Sequence, residues 1–290
     1  MIERNDPCWC GSLQKWKKCH FPAAAPQDLK TLYAKQYHII LKTKEQIEGI
    51  RASCRLASSI LKELCLAAKP GVTTNQLDAL AVKLVKAAGA IAAPLGYGNP
   101  PFPKSICTSL NEVICHGIPN DTPLVEGDFL NIDVTTILNG YYGDCSAMVA
   151  IGTISPEKKR VMETSYTALM EACAILKPGL PLYKIGEVIE KVAAEQGCSV
   201  VNDFVGHGVG VHFHEAPQVA HHKNHNQTPL AAGMTFTIEP MINGGARQSK
   251  IDPVNAWEAR TVDGKPSAQW EHTILITETG YELLTSIREE

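Results

Sequence analysis

Aromatic residues are scarce, at 6% of the 290-residue chain, and charge of neither sign is in excess: 27 Lys and Arg stand against 30 Asp and Glu, for a formal net charge of −3. With a pI near 6.4, no overall basic field points to nucleic acid. No uninterrupted apolar run approaches the roughly 18 residues of a membrane helix. The opening Met1-Ile-Glu-Arg-Asn-Asp6 has no apolar h-region, so a cytoplasmic protein with no membrane association is expected. Gly206-His-Gly-Val-Gly210 and Gly244-Gly245 are glycine-rich, yet neither has a GK[ST] ending or the following acid of a dinucleotide fingerprint. Nucleotide binding through the usual loops is therefore excluded.

Cysteine is the residue in surplus, with ten in the chain. Seven stand singly among apolar neighbours in a domain-sized sequence: Cys54, Cys65, Cys107, Cys115, Cys145, Cys173 and Cys198. These read as reduced core thiols rather than a disulfide framework. The other three cluster as Cys8-Trp-Cys10-Gly-Ser and Cys19-His20, four soft or borderline ligands within thirteen residues. So short a segment cannot bury a core, and one tetrahedral Zn²⁺ on Cys8, Cys10, Cys19 and His20 would supply the missing folding energy, with Gly11 allowing the chain reversal. Lys15, Lys17 and Lys18 with Trp9 and Trp16 give the segment a basic, aromatic face. From Phe21 to about Tyr37 the Ala-Ala-Ala-Pro run reads as a linker. The expected division is a zinc-binding motif over 1–21, a linker and lead-in over 22–40, and a catalytic domain over 41–290.

That domain contains an internal repeat. Lys69-Pro-Gly71 recurs as Lys177-Pro-Gly179, an offset of 108, and Leu77, Leu80, Leu84 and Gly89 match Ile185, Val188, Val192 and Gly197. Each stretch reads as an amphipathic helix with a glycine cap, and residues 45–68 and 157–176 read as helices before each Pro-Gly turn. Thr122-Pro-Leu-Val-Glu-Gly127 reappears as Thr228-Pro-Leu-Ala-Ala-Gly233, and the strand-like Asp128-Phe-Leu-Asn-Ile-Asp133 parallels Met234-Thr-Phe-Thr-Ile-Glu239. Each acid is expected near the end of its strand, with Phe129, Asn131 and Asp133 on one face and Leu130 and Ile132 on the other. His116-Gly-Ile-Pro119 and His214-Glu-Ala-Pro217 repeat as well. The fold class implied is α+β, a pseudo-twofold antiparallel sheet covered by helix pairs, with a small N-terminal zinc knuckle.

Asp133, Asp144, His207, Glu239 and Glu271 stand out as a ligand set. Asp144 follows a Gly140-Tyr-Tyr-Gly143 turn, His207 sits where missing side chains would let metal and substrate approach the backbone, and Glu271 follows an Asp263-Gly264 hairpin signal. Four carboxylates in one pocket repel one another, and low dielectric raises the cost of each. One dication leaves two negative charges; two dications cancel them. A dinuclear hydrolytic site follows, able to polarise a carbonyl and generate hydroxide near neutral pH. His221, His222 and His225, with no carboxylate or cysteine beside them, read as a solvated loop rather than a third metal site.

Over about residues 40–288 the chain closely resembles the type I methionine aminopeptidases, metalloenzymes of the pita-bread (creatinase/aminopeptidase-like) fold. The resemblance rests on Cys107-Thr-Ser-Leu-Asn-Glu-Val-Ile-Cys-His-Gly-Ile-Pro119, Asn131-Ile-Asp-Val-Thr135, Gly143-Asp-Cys-Ser146, Gly206-His-Gly-Val-Gly210, Phe213-His-Glu-Ala-Pro217, Thr237-Ile-Glu-Pro-Met241 and Gln269-Trp-Glu-His-Thr273. It implies that Asp133 ligates one metal, His207 and Glu239 the other, and that Asp144 and Glu271 bridge them. Thr135 would orient bound water, and a hydroxide held between the metals would attack the scissile carbonyl with Glu239 as proton shuttle. His214 would hydrogen-bond the scissile carbonyl region and His116 the backbone of the second residue, while the free α-amine of the substrate binds a metal. Tyr97, Phe102, Cys107, Phe213 and Trp257 would wall the methionine pocket, whose loop Gly98-Asn-Pro-Pro101 is about two residues longer than the common pattern. The implied activity is removal of initiator methionine from nascent polypeptides by a monomer, with two divalent ions (Co, Mn, Fe, Zn or Ni) as cofactors. The cysteine cluster resembles the SEC-C motif, which implies one structural Zn and docking to a partner such as the ribosome. A proline-directed peptidase of the same fold and a non-catalytic binding protein are the competing readings.

Overall fold

The computed structural model of the chain describes residues 3–8, 10–20 and 28–286. Residues 1–2, Trp9, segment 21–27 of the expected linker and residues 287–290 of the expected catalytic domain lie outside the described residues. A short α1 (Trp16–Cys19) lies in the cysteine-rich segment, and α2 (Leu29–Tyr37) follows. The two repeat-derived helix pairs are α3 (Lys44–Ala67) with α4 (Thr74–Ala87), and α5 (Pro156–Ala174) with α6 (Tyr183–Glu195). Their starts have local causes. Thr43 with Gln46, and Thr73 with Gln76, form reciprocal capping boxes, and Ser155 caps α5 ahead of Pro156. Along α3 the buried Ile50, Cys54, Ala57, Leu61 and Leu64 recur every three or four residues and face the sheet. In α4 the buried stripe runs through Leu77, Asp78, Ala81 and Val85, rotated from the expected Leu77, Leu80, Leu84 line. Among the described residues, no helix is long and apolar enough to cross a membrane.

The strands of the first half are β1 (Ile91–Ala92), β2 (Cys107–Leu110), β3 (Val113–Cys115), β4 (Phe129–Leu138) and β5 (Tyr141–Ala150). Those of the second are β6 (Ser199–Val200), β7 (Gly206–Gly208), β8 (Glu215–Val219), β9 (Thr235–Ile238), β10 (Met241–Asn243), β11 (Ser249–Ile251), β12 (Ala259–Thr261), β13 (Ser267–Gln269), β14 (His272–Ile276) and β15 (Tyr281–Leu283). β5 takes one edge of β4 while β1 and β2 share the other; the second half builds the order β15-β14-β9-β7-β8. Two three-stranded sheets, β13-β10-β6 and β11-β12-β3, complete the set, and every strand pairing is antiparallel.

The duplication survives down to single hydrogen bonds. Gly71 and Gly179 both take positive φ, and each donates its N–H at 2.8 Å, to the carbonyls of Leu124 and Leu230 respectively. Those acceptors are themselves repeat partners. Thr73 bridges Pro123 just as Pro181 bridges Pro229. The halves meet where Ser146 on β5 bridges Glu271, with Glu271 N–H donating to Ser146 O at 3.2 Å and Thr273 Oγ1 to Asp144 O at 2.7 Å. One apolar core runs through both halves, and a small second cluster of Ile114, Cys115, Val201, Met241 and Ala259 joins β3, β10 and β12.

Several expectations change. The lead-in is not structureless: Asp28 caps α2, and Tyr33 is buried with its hydroxyl donating to Pro229 O at 3.0 Å. The Gly140-Tyr-Tyr-Gly143 turn is really Asn139-Gly140, both at positive φ, because Tyr141 to Gly143 already belong to β5. The segments flanking Asp263-Gly264 do not form a hairpin, since β12 pairs with β3 and β11 while β13 pairs with β10. Of the seven lone cysteines five are buried, Cys65 and Cys198 are half-buried, and all are free thiols.

Candidate active site

A cavity of about 650 Å³ opens where the halves join. Asp133 and Asp144 reach it from β4 and β5, where Asp133 pairs with Ser146 and Thr135 with Asp144 in one antiparallel ladder. Asp133 lies in mid-strand, not near an end. The expected alternation along β4 holds in part by surroundings: Leu130, Ile132 and Val134 join the apolar core, Asn131 donates to Gln269 O, and Asp133 and Thr135 line the cavity, but Phe129, expected with Asn131 and Asp133, is itself in that core. His207 comes from β7, Glu239 directly follows β9, and Glu271 sits between β13 and β14. All five therefore line one cavity. His207 Nε2 lies 3.7 Å from Asp144 Oδ2 and 3.6 Å from Glu239 Oε1, and one ligand atom each of Asp144, His207 and Glu271 lies within 4.8 Å of the others.

Such gaps are too long for hydrogen bonds and suit donors arranged around an ion at about 2.0–2.2 Å from each. Electrostatics agrees. Burial, and then the charges of Asp144 and Glu239, push Asp133 well above the usual carboxylate range; burial and the charges of Asp144, Glu239 and Asp133 do the same to Glu271. Burial raises Asp144 to about 7 against the opposing hydrogen bonds from Thr135 and the Cys145 N–H, and raises Glu239 to about 8. Desolvation lowers His207 to about 3, leaving a neutral imidazole. Four mutually repelling acids, Asp133 half-buried and the other three buried, beside a neutral histidine fit a pair of divalent cations, which would remove the repulsion.

Tyr97, Phe102, Cys107, Phe213 and Trp257 line the same cavity, as do His116 and His214. Phe102 meets Trp257 edge-on at 5.3 Å between centroids, and Tyr97 packs on Phe213 at 4.8 Å. His116 is held between Phe204 and Trp257, at 5.5 and 5.9 Å. Burial lowers the pKa of both histidines, His116 to about 4.

Thr135 donates to Asp144 Oδ1 at 2.7 Å and so orients that carboxylate. The glycines around His207 do not open the backbone to ligands: a Cβ on Gly206 would strike the Thr237 carbonyl and one on Gly208 that of Ala216, so close strand packing explains them. His221 does lie in the loop after β8, but it is not solvated. It is buried behind Gly206, and its Nε2 accepts the Glu239 N–H at 3.2 Å. Only His225 of the three is exposed.

Sequence reasoning also passed over the partners of Glu239, whose Oε1 accepts from Thr237 at 2.7 Å and Oε2 from Gln269 Nε2 at 2.9 Å. Both stood inside quoted motifs, and that was the available signal. A second omission is Glu215, which accepts from the N–H groups of Val211 and His212 and pairs at 2.5 Å with Lys42, both side chains being almost fully buried. Nothing in the sequence links residues 173 positions apart.

In the N-terminal segment, Cys8 Sγ and Cys19 Sγ each lie 3.1 Å from His20 Nδ1, and Cys10 Sγ lies 3.5 Å from Cys19 Sγ. Ligands on the corners of a tetrahedron around zinc stand about 3–4 Å apart, so this donor set fits the ion. Lys15, Lys17 and Lys18 are exposed, but Trp16 is buried and not part of that face.

A two-halved antiparallel fold with buried acids and an imidazole converging on one cavity defines the class of metal-dependent hydrolases. Residues 48–278 match Metallopeptidase family M24, and residues 4–22 match the SEC-C motif. A methionine aminopeptidase of Chlamydia muridarum is 64% identical over 98% of this chain and 99% of its own length. The crystal structure of methionine aminopeptidase from Rickettsia prowazekii superposes with a TM-score of 0.82 at 42% identity, covering 86% of this chain and all of that one. Prolidase from Pyrococcus furiosus, at 23% identity and a TM-score of 0.71, shares the fold. The chain belongs to metallopeptidase family M24 and, within it, to the pita-bread methionine aminopeptidases carrying an N-terminal SEC-C motif.

Proposed function

We propose that the chain removes N-terminal methionine from nascent polypeptides in the cytoplasm, using Asp133, Asp144, His207, Glu239 and Glu271 to hold two divalent ions. The convergence of those five side chains on one buried cavity carries the reading. Bound there, the ions would supply Lewis acidity for the scissile carbonyl and lower the pKa of the attacking water.

The remaining work falls to the chain. Thr237 and Gln269 each donate to one oxygen of Glu239 and hold its carboxylate at the cavity, where it takes a proton from water and returns it to the leaving amine. His214, ring to ring with His207 at 4.1 Å, donates to the scissile carbonyl as charge develops. His116, wedged between Phe204 and Trp257, binds the backbone of the second residue. Phe102, Cys107, Phe213 and Trp257 exclude water around an unbranched apolar side chain, whose sulfur gains about 0.3–1.5 kcal/mol against aromatic edges. Exposed Lys15, Lys17 and Lys18 on a zinc-held knuckle support docking to a polyanionic partner such as the ribosome.

The test is steady-state hydrolysis of Met-Gly-Met against Xaa-Pro peptides by metal-loaded protein, with Asp144→Ala as control. Methionine release that stops on chelation and in the variant supports the reading. Cleavage of Xaa-Pro alone, or no metal-dependent release at all, overturns it.

A further inference from the structure

Tyr97 makes a contact that a pocket wall does not require. Its hydroxyl lies 2.7 Å from Nδ1 of His214, and the two rings stand 5.1 Å apart. The backbone around it is tied down from the far side. Phe102 N–H donates to Tyr97 O at 2.7 Å and Gly96 N–H to Phe102 O at 2.8 Å, closing the loop on itself. Trp257 Nε1–H donates to Pro100 O at 3.0 Å, and its ring fills the space that a Cβ on Gly98 would take, at a positive φ that favours glycine. A ring already packed on Phe213 is thus clamped with its hydroxyl at one particular nitrogen.

We infer that Tyr97 is a positioning residue: its hydroxyl donates to Nδ1 of His214, so that the ring carries its proton on Nε2, directed at the scissile carbonyl. In a neutral imidazole one nitrogen donates and the other accepts, and the partner of one decides the state of the other. A phenol donating at Nδ1 excludes the tautomer that would present a lone pair to a developing oxyanion. A phenol, with a pKa of about 10, is protonated near neutral pH, so the donated proton stays on oxygen. The inference rests on the carbonyl-binding role given to His214 above.

Tyr97→Phe keeps the aromatic wall and removes only the hydroxyl. With Met-Gly-Met, kcat is expected to fall about tenfold while KM stays within about twofold and metal content is unchanged. In the His214→Ala background, the same substitution is expected to have no further effect on kcat. In metal-loaded protein carrying ¹⁵N-labelled imidazoles, the His214 signals, assigned by their loss in His214→Ala, should report protonated Nε2 in the parent and a tautomer mixture in Tyr97→Phe. A rise in KM alone, an undiminished loss in the His214→Ala background, or protonated Nδ1 in the parent overturns the inference. If His214→Ala itself turns over at the parental rate, the His214 role fails and Tyr97 falls with it. A slow His214→Ala beside a parental Tyr97→Phe sinks Tyr97 alone.

Discussion

The single side chain that gathers most of the site is Asp144, which faces His207, accepts from Thr135 and sits one carbonyl away from the Thr273 hydroxyl. In its proposed bridging role, its loss would remove a ligand shared by both ions. Asp144→Ala and Glu271→Ala are expected to reduce peptide hydrolysis to background and to lower metal content, measured by elemental analysis of the folded variants. His214→Ala is different in kind: kcat should drop by about 10²-fold with both metals retained, as for a lost oxyanion donor. Loss of metal in that variant would reassign His214 as a ligand. At this scale the cavity residues were readable wherever a motif or its repeat copy flagged them. His221 and Lys42 were not. His221 shares its local sequence with exposed polar residues, and only the return of the chain behind Gly206 buries it. Lys42 acquires meaning only through Glu215, a long-range pair that no local pattern encodes.

Among the elements, helices were more legible than strands, for a physical reason. A helix of 14 to 24 residues repeats its apolar period several times and carries its own N-terminal cap, as α3 and α4 do. Strands of two or three residues such as β6, β10 or β13 show no period at all and exist because a neighbour supplies the ladder. Asp263-Gly264 illustrates the limit: the turn residues are there, but the strands on either side pair elsewhere. Two elements touch with almost no clearance. A Cβ on Gly143 in β5 would run into the backbone of Ser53 and Cys54 in α3. Gly143→Ala is expected to lower stability by about 1–3 kcal/mol, seen as a lower urea midpoint at unchanged slope. Thr43→Ala, which removes only a cap of the same helix, should cost about 1 kcal/mol. If the cap variant proves the more damaging of the two, the contact between α3 and β5 is looser than described.

For the whole molecule, buried acidity ties stability to metal and pH. Asp144 and Glu239 have folded-state pKa values raised to about 7 and about 8. A raised folded pKa means that the stabilisation is complete below the unfolded value near 4 and fades as pH climbs through the folded one. Metal-free protein should therefore melt at a lower temperature at about pH 8 than at about pH 5, and divalent cations should raise the melting temperature most at the higher pH. A flat metal-free profile would show that the acids are better solvated than their burial indicates. The knuckle is a separate matter. Cys8→Ser combined with Cys19→Ser should abolish metal binding by the knuckle and leave hydrolysis of Met-Gly-Met in vitro unchanged; a folded but inactive double variant would show that the knuckle helps build the cavity.

Of the five proposed metal ligands, Asp133 and Asp144 come from one half and His207, Glu239 and Glu271 from the other, sewn together at the Ser146 and Glu271 bridge. Activity is thus shared property. Neither half, made alone, holds all five proposed ligands, and a chain interrupted before Glu271 would be a bystander among the very polypeptides it is built to trim. Separately produced halves cut in the 152–155 connection should be silent apart and regain turnover when mixed.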